Sequence, residues 1–179
     1  MWALVESGSI TGTYNQAKAI QIGDVKYPAN IFELWSKSEL EAVGLYEVVY
    51  DHTNFKDKDY YVNTDETLTF ASNRVTASWG TATAKNLDTL KSEHKKTIDD
   101  QAYGLLQPND WMVVRKAESS KAIPSDWLDF RVDVRSAASS MKDKIDAVSD
   151  VDALAALYVY NDANPPVRPL GEFPTPPSS

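Results

Sequence analysis

The sequence predicts an α+β protein: an antiparallel, β-rich N-terminal module, then an α-helical hairpin-like module, then an extended proline-rich tail. Three observations carry this. Residues 1–85 alternate apolar and polar side chains in short runs separated by glycine turns. Residues 86–160 switch to apolar spacing of three and four. The final 19 residues, 161–179, hold six of the nine prolines, which neither helices nor central strands accept.

In the first module Trp2–Val5 and Ile10–Tyr14 flank Glu6-Ser7-Gly8-Ser9, a hairpin turn. Ile20-Gln21-Ile22 and Val25-Lys26-Tyr27 alternate around Gly23-Asp24, whose leading glycine suits a two-residue turn. Pro28 closes that hairpin. Ser36 and Glu39 form an S-x-x-E capping box for one short helix, with Leu40 and Val43 as its apolar face and Gly44 as its left-handed stop. Leu45–Tyr50, Tyr60–Val62, Thr67–Phe70 and Val75–Trp79 read as further strands. In the last of these Val75, Ala77 and Trp79 share a face.

In the second module Leu87, Leu90, His94, Ile98, Gln101 and Leu105 mark a helix that Pro108 ends. Asn109 or Asp110 caps a short helix over Trp111–Glu118. Pro124-Ser125-Asp126 starts a long one, with Trp127, Phe130, Val134, Ala137, Met141, Ile145 and Val148 as its apolar stripe. Ser149-Asp150 breaks it and caps a last helix over Val151–Tyr160. The tail, 161–179, is expected to be extended and mobile.

Composition narrows the chemistry. With no cysteine, disulfides, thiolate–zinc sites and cysteine nucleophiles are excluded. His52 and His94 are too few and too far apart for a zinc set, so no metal and no cofactor is expected. A net charge of −8 argues against non-specific nucleic-acid binding, which needs cations against phosphate. No run of 18 apolar residues exists, so no membrane-spanning helix is expected, and Met1–Glu6 lacks the pattern of a secretory signal. Ser92-x-x-Lys95 and Ser139-x-x-Lys142 match a serine–lysine pattern, but neither is followed by the companion elements such enzymes need. No nucleotide, hydrolase-elbow or metalloprotease motif occurs. No catalytic residue is assigned.

The remaining candidates are for binding. Trp111 and Arg115, and Trp127 and Arg131, repeat an i,i+4 tryptophan–arginine spacing after Asp-Trp openings, with Arg135 one turn further on. Tryptophan and arginine are the side chains that dominate interface energetics. The competing reading is structural: each arginine pairs with a carboxylate such as Glu118 or Asp129 and orients two helices. Pro166-Val167-Arg168-Pro169 matches P-x-x-P, either a docking peptide for another subunit or a plain disordered end.

The order of motifs carries a resemblance. Trp2-Ala3-Leu4-Val5-Glu6-Ser7-Gly8, Ile22-Gly23-Asp24-Val25-Lys26-Tyr27-Pro28, Ile31-Phe32-Glu33-Leu34-Trp35-Ser36, Glu39-Leu40 and Gly44-Leu45-Tyr46 resemble the N-terminal module of tail-associated proteins of tailed bacteriophages. Gln101-Ala102-Tyr103-Gly104-Leu105-Leu106, Asn109-Asp110-Trp111 through Glu118, Pro124 and Phe130-Arg131-Val132-Asp133-Val134-Arg135 are similar to a helical domain of unknown function in phage tail-fibre assembly proteins. Those proteins often carry threonine before the Asp-Trp pair, where this chain has Asn109. Together the stretches cover most of residues 1–160. The resemblance implies a non-enzymatic tail protein, a tail-fibre assembly chaperone that binds a tail or fibre subunit in the host cytoplasm during assembly. The alternative it implies is a structural component of the virion tail or fibre attachment. It leaves self-association open and supplies no catalytic residues.

Overall fold

The computed structural model describes residues 1–177, so the last two residues of the expected tail lie outside the described residues. Strands and helices divide as an α+β protein should, the sheet first and the helices after it. The chain forms two compact units, which separate after Thr83.

In the first unit β1 (Trp2–Glu6) and β2 (Ser9–Tyr14) form a hairpin through Ser7 and Gly8, both at positive φ. Such a turn matches the natural twist of the strands. β3 (Ile20–Ile22) and β4 (Val25–Tyr27) make a second hairpin through Gly23-Asp24. Two short helices follow: α1 (Ile31–Leu34), which no cap or period in the sequence announced, and α2 (Lys37–Ala42). The Ser36–Glu39 capping box of α2 is complete in both directions. β5 (Leu45–Asp51) then pairs antiparallel with β1, and β7 (Glu66–Ala71) forms a hairpin with β8 (Arg74–Trp79) through Ser72-Asn73. Two two-residue strands, β6 (Tyr61–Val62) and β9 (Thr83–Ala84), lie outside the main sheet.

The strand order is β2-β1-β5-β8-β7. Three of its four pairs are antiparallel; in the other, the central strand β5 runs parallel to β8, with Val48 opposite Val75 and Asp51 opposite Ser78. Alternation along each strand is blind to the direction of its neighbour, so this pair departs from the antiparallel expectation. Neighbouring residues of a strand point to opposite faces, and on β1 both Ala3 and Leu4 are buried. The sheet is therefore covered twice. Leu4, Leu45, Ile20, Ile31 and Leu40 pack beneath α1, α2 and the second hairpin. Ala3, Val48, Val75 and Ala77 pack inside the curl of the sheet, where its edge strands β2 and β7 approach.

Gly44 joins α2 to β5. Its φ is +87°, and a Cβ there would stand 2.6 Å from the Val5 carbonyl oxygen. The Gly44 carbonyl in turn accepts the Val5 N–H at 2.8 Å. Only glycine satisfies both the left-handed turn and the close backbone approach.

The second unit is helical. α3 (Leu87–Leu106) starts at Asn86, whose side chain accepts the Thr89 N–H. A 3-10 turn over Gln107–Asn109 absorbs Pro108 and leads into α4 (Asp110–Ser119). α5 (Ser125–Ala147) follows Pro124, which gives no side-chain cap, and α6 (Val151–Ala156) is capped by Asp150. α6 is shorter than the expected Val151–Tyr160 because the chain turns after Ala156 to meet the terminal segment. α3 and α5 run antiparallel. Leu90, Ile98 and Ala102 on one and Phe130, Val134, Ala138, Met141 and Ile145 on the other are buried. Ala138 rather than Ala137 carries the stripe, and Trp127 and Val148 at its ends are only half-buried. Lys95–Asp146 and Lys142–Asp99, each at 2.7 Å, bridge the two helices. These pairs are solvent-exposed and worth at most about 1 kcal/mol each, so the apolar stripe holds the hairpin.

The terminal segment makes contacts that its proline content did not announce. Asn161 closes a loop by bonding Val167 through both backbone and side chain. The Leu170 N–H donates to the Leu157 carbonyl, and Leu170 is 1% exposed. Lys144 of α5 donates to the carbonyls of Pro169 and Leu170. Proline content reports what a segment cannot form, and one buried leucine with three backbone bonds is enough to fix it.

Gly44→Ala is expected to cost at least about 2 kcal/mol, the left-handed penalty plus the clash with Val5. Urea unfolding of the full chain measures it, with the exposed Gly104→Ala as the control in which nothing lies within 4 Å of the new methyl.

Candidate functional site

The two tryptophan–arginine pairs singled out from spacing adopt different roles. Arg131 on α5 is 5% exposed. Its Nη2 donates to Asp110 Oδ1 at 2.6 Å, and its Nη1 donates to the Leu106 carbonyl at 3.1 Å. One guanidinium thus meets the final carbonyl of α3 and a carboxylate in the first turn of α4, where the two helix ends favour those charges. Arg131 is consequently withdrawn from any partner surface. A buried cation must be paired, and here the pairing joins three helices. Its carboxylate is Asp110, not Glu118 or Asp129. Trp127 is half-buried edge-on against Phe130 at 5.8 Å and does not stand free as an anchor. Arg135 is exposed and donates from Nη1 to the Arg131 carbonyl.

Trp111 and Arg115 behave differently. Trp111 is 53% exposed, and the Arg115 guanidinium lies 4.7 Å from its ring centre, a cation–π stack. Arg115 Nε is buried with no hydrogen-bond partner among the described residues. Met112 is the sole buried side chain of α4, while Trp111, Val113 and Val114 all face solvent. On α5, Leu128 and Val132 are exposed as well. A helix that buries one side chain and exposes three large apolar ones has the composition of a binding element.

Pro166 lies exposed in the loop closed by Asn161, and the Pro169 carbonyl is held by Lys144. The P-x-x-P sequence thus lies between the bends at 162–165 and the turn at 169–170, with its Val167 bonded to Asn161. Beside it Arg168 sits over the rings of Tyr158 and Tyr160 and pairs with Glu172 at 2.8 Å. Tyr160 donates its hydroxyl to the same carboxylate at 2.6 Å, which raises the phenol above its ordinary range. A hollow of about 490 Å³ lined by Ala156, Val159, Tyr160, Asn161, Val167, Arg168 and Pro169 opens here, with its one cation already matched by Glu172.

The sequence reading missed an aromatic cluster in the first unit. His52, exposed at the surface, stacks on Trp79 at 5.0 Å and on Tyr50 at 5.9 Å, and Phe55 meets Trp79 edge-on at 5.0 Å. Asn54 Nδ2 ties the loop to the Trp79 carbonyl, and Thr53 donates to Asp51, holding that carboxyl below its ordinary range. The signal was available: Val48, Tyr50 and His52 continue one face of β5, and Trp79 continues the face of Val75 and Ala77.

The serine–lysine pairs are drawn into the helix hairpin. Lys95 is held by Asp146 and Lys142 by Asp99. His94 packs at 4.8 Å against Tyr158. Among the described residues no three histidine or acidic side chains gather to hold a metal ion, and no helix is long and apolar enough to cross a membrane. Compared with known protein families, with curated proteins and with solved structures, the chain shows no significant match.

Arg131→Met is expected to destabilise the chain by about 1–3 kcal/mol, since it strips the Leu106 carbonyl and Asp110 of their donor. Trp111→Ala is expected to stay within about 0.5 kcal/mol of the parent. Thermal unfolding of both variants checks the contrast.

The Tyr160–Glu172 bond requires a protonated phenol. It is intact below the ordinary tyrosine range and is lost as pH rises through the raised value. Amide resonances of residues 170–173 are expected to shift across that alkaline window, and to shift less in Tyr160→Phe.

Proposed function

We propose that this protein is a non-enzymatic bacteriophage tail protein that binds a tail or fibre subunit, in the manner of the tail-fibre assembly proteins it resembles. The observation that carries the reading is Trp111 stacked under Arg115 on a helix with one buried side chain. Tryptophan and arginine are the side chains enriched among those that carry binding energy at interfaces. The resemblance supplies the class of partner and the setting, the host cytoplasm during assembly. A permanent place in the virion would draw support from a free, lacing terminus. Here the terminal segment is folded onto its own unit through Leu170 and Lys144, so transient binding is the better supported role.

Mass spectrometry of purified particles is the test. The protein is expected at well below stoichiometric amounts in mature virions, while the wild-type chain captures a fibre or tail subunit during infection. Trp111→Ala is expected to lose that capture while remaining folded. A fixed stoichiometric copy number in the particle would overturn transient binding in favour of a structural tail component.

A further inference from the structure

The hollow of about 490 Å³ beside the terminal segment has a wall whose chemistry is specified atom by atom. Three large apolar side chains on it stand open to solvent: Val159 is 64% exposed, Tyr160 50% and Val167 51%. The wall is held in place by the chain itself. The Tyr160 hydroxyl is fixed on Glu172, Arg168 is fixed on Glu172 and over the rings of Tyr158 and Tyr160, and Val167 is tied to Asn161 by two bonds. Charge comes next. Arg168 is the one cation on the wall and Glu172 neutralises it, so the wall favours neither an acid nor a base. Hydrogen bonding is less balanced. Asn161 Oδ1 accepts the N–H groups of Ala163 and Val167, which leaves Nδ2 with two donors and no partner among the described residues. Arg168 commits Nε and Nη2 to Glu172 and Gly171, and its Nη1 has no partner among the described residues either.

Spare donors on an uncharged, apolar wall call for a ligand that is apolar, uncharged and rich in carbonyl oxygens. An ordinary extended chain brings an N–H with each carbonyl, and that donor then needs an acceptor of its own. Proline brings the carbonyl alone. In a polyproline helix the carbonyls make no internal bonds, the conformation is set before binding, and such segments dock in aromatic-lined grooves. We propose that the hollow takes a short proline-rich segment of a partner protein, held by its carbonyls on Asn161 and Arg168 and by its rings on Val159, Tyr160 and Val167. This site goes beyond the tail-binding role: it shares no residue with the Trp111 helix, and each can fail without the other.

The test uses the full chain with labelled decaproline and a labelled glycine–serine peptide of the same length. Fluorescence anisotropy is expected to show decaproline binding at least about tenfold tighter, with little change as salt is added because no net charge is engaged. Asn161→Asp keeps an oxygen that closes the loop and removes the Nδ2 donors, and is expected to weaken decaproline about tenfold. Val159→Asp, at an exposed position on the wall, is expected to weaken it as well. Circular dichroism verifies that both variants fold. Trp111→Ala is expected to leave decaproline binding unchanged. Equal binding of the two peptides, binding of neither, or a preference that vanishes in high salt overturns the proposal. Folded variants at Asn161 and Val159 that bind like the parent overturn it too. Loss of decaproline binding in Trp111→Ala would place the peptide on α4 and overturn the assignment to the hollow. Decaproline binding by a chain that captures no tail subunit overturns the tail role and leaves this site standing.

Discussion

The helical unit depends on how it satisfies one buried cation. An arginine drawn out of water must find acceptors for its donors, and the cost of failing exceeds that of most single contacts. Arg131 finds them at the last carbonyl of α3 and the first carboxylate of α4. That choice fixes where α3 must end, where α4 must begin and which face of α5 meets both. The same solution recurs where α5 finishes, as Lys91 reaches the carbonyls of Asp146 and Val148, and Lys144 meets the carbonyls of Pro169 and Leu170 in the terminal segment. Orphan carbonyls are thus met by long basic side chains from neighbouring elements, which leaves the apolar stripe between α3 and α5 free of polar intrusions.

The two units spend their apolar side chains differently. The sheet of the first unit is covered on both faces, and its aromatic surplus gathers in the Tyr50, His52, Phe55 and Trp79 cluster, where the rings contact one another. The second unit buries a narrow seam and leaves tryptophan, valine and leucine in water on α4 and α5. Exposed apolar area of that kind works against solubility unless something uses it, and the high net charge of the chain offsets the hazard.

Local patterns in the sequence were legible wherever the cause was local. The capping box at Ser36–Glu39, the glycine at position 44 and the turns at Ser7-Gly8 and Gly23-Asp24 are written into two to four consecutive residues, and the structure realises each of them. What depended on distant partners was not legible. Arg115 and Arg131 occupy the same offset from a tryptophan, yet one is half-buried and stacked on its ring while the other is buried and paired with a carboxylate. The difference lies in Asp110 and Leu106, which spacing cannot place. The parallel pairing of β5 with β8, the burial of Leu170 beneath a proline-rich stretch and the stacking of His52 on Trp79 are likewise set by contacts across 25 residues or more, or by one docked side chain.

The parallel pairing of β5 with β8 has a consequence for how the chain is made. A strand flanked by antiparallel neighbours in sequence can zip up hairpin by hairpin as it leaves the ribosome. β5 finds β1 early, but its other edge waits until residues 74–79 have been synthesised and the β7–β8 hairpin swings back alongside it. Until then Val48 and Tyr50 face water beside an open row of backbone donors and acceptors, the arrangement most prone to pairing with a stranger. Nascent chains are therefore most vulnerable to clumping during the interval between those two strands, and a pause in translation there would prolong the exposure.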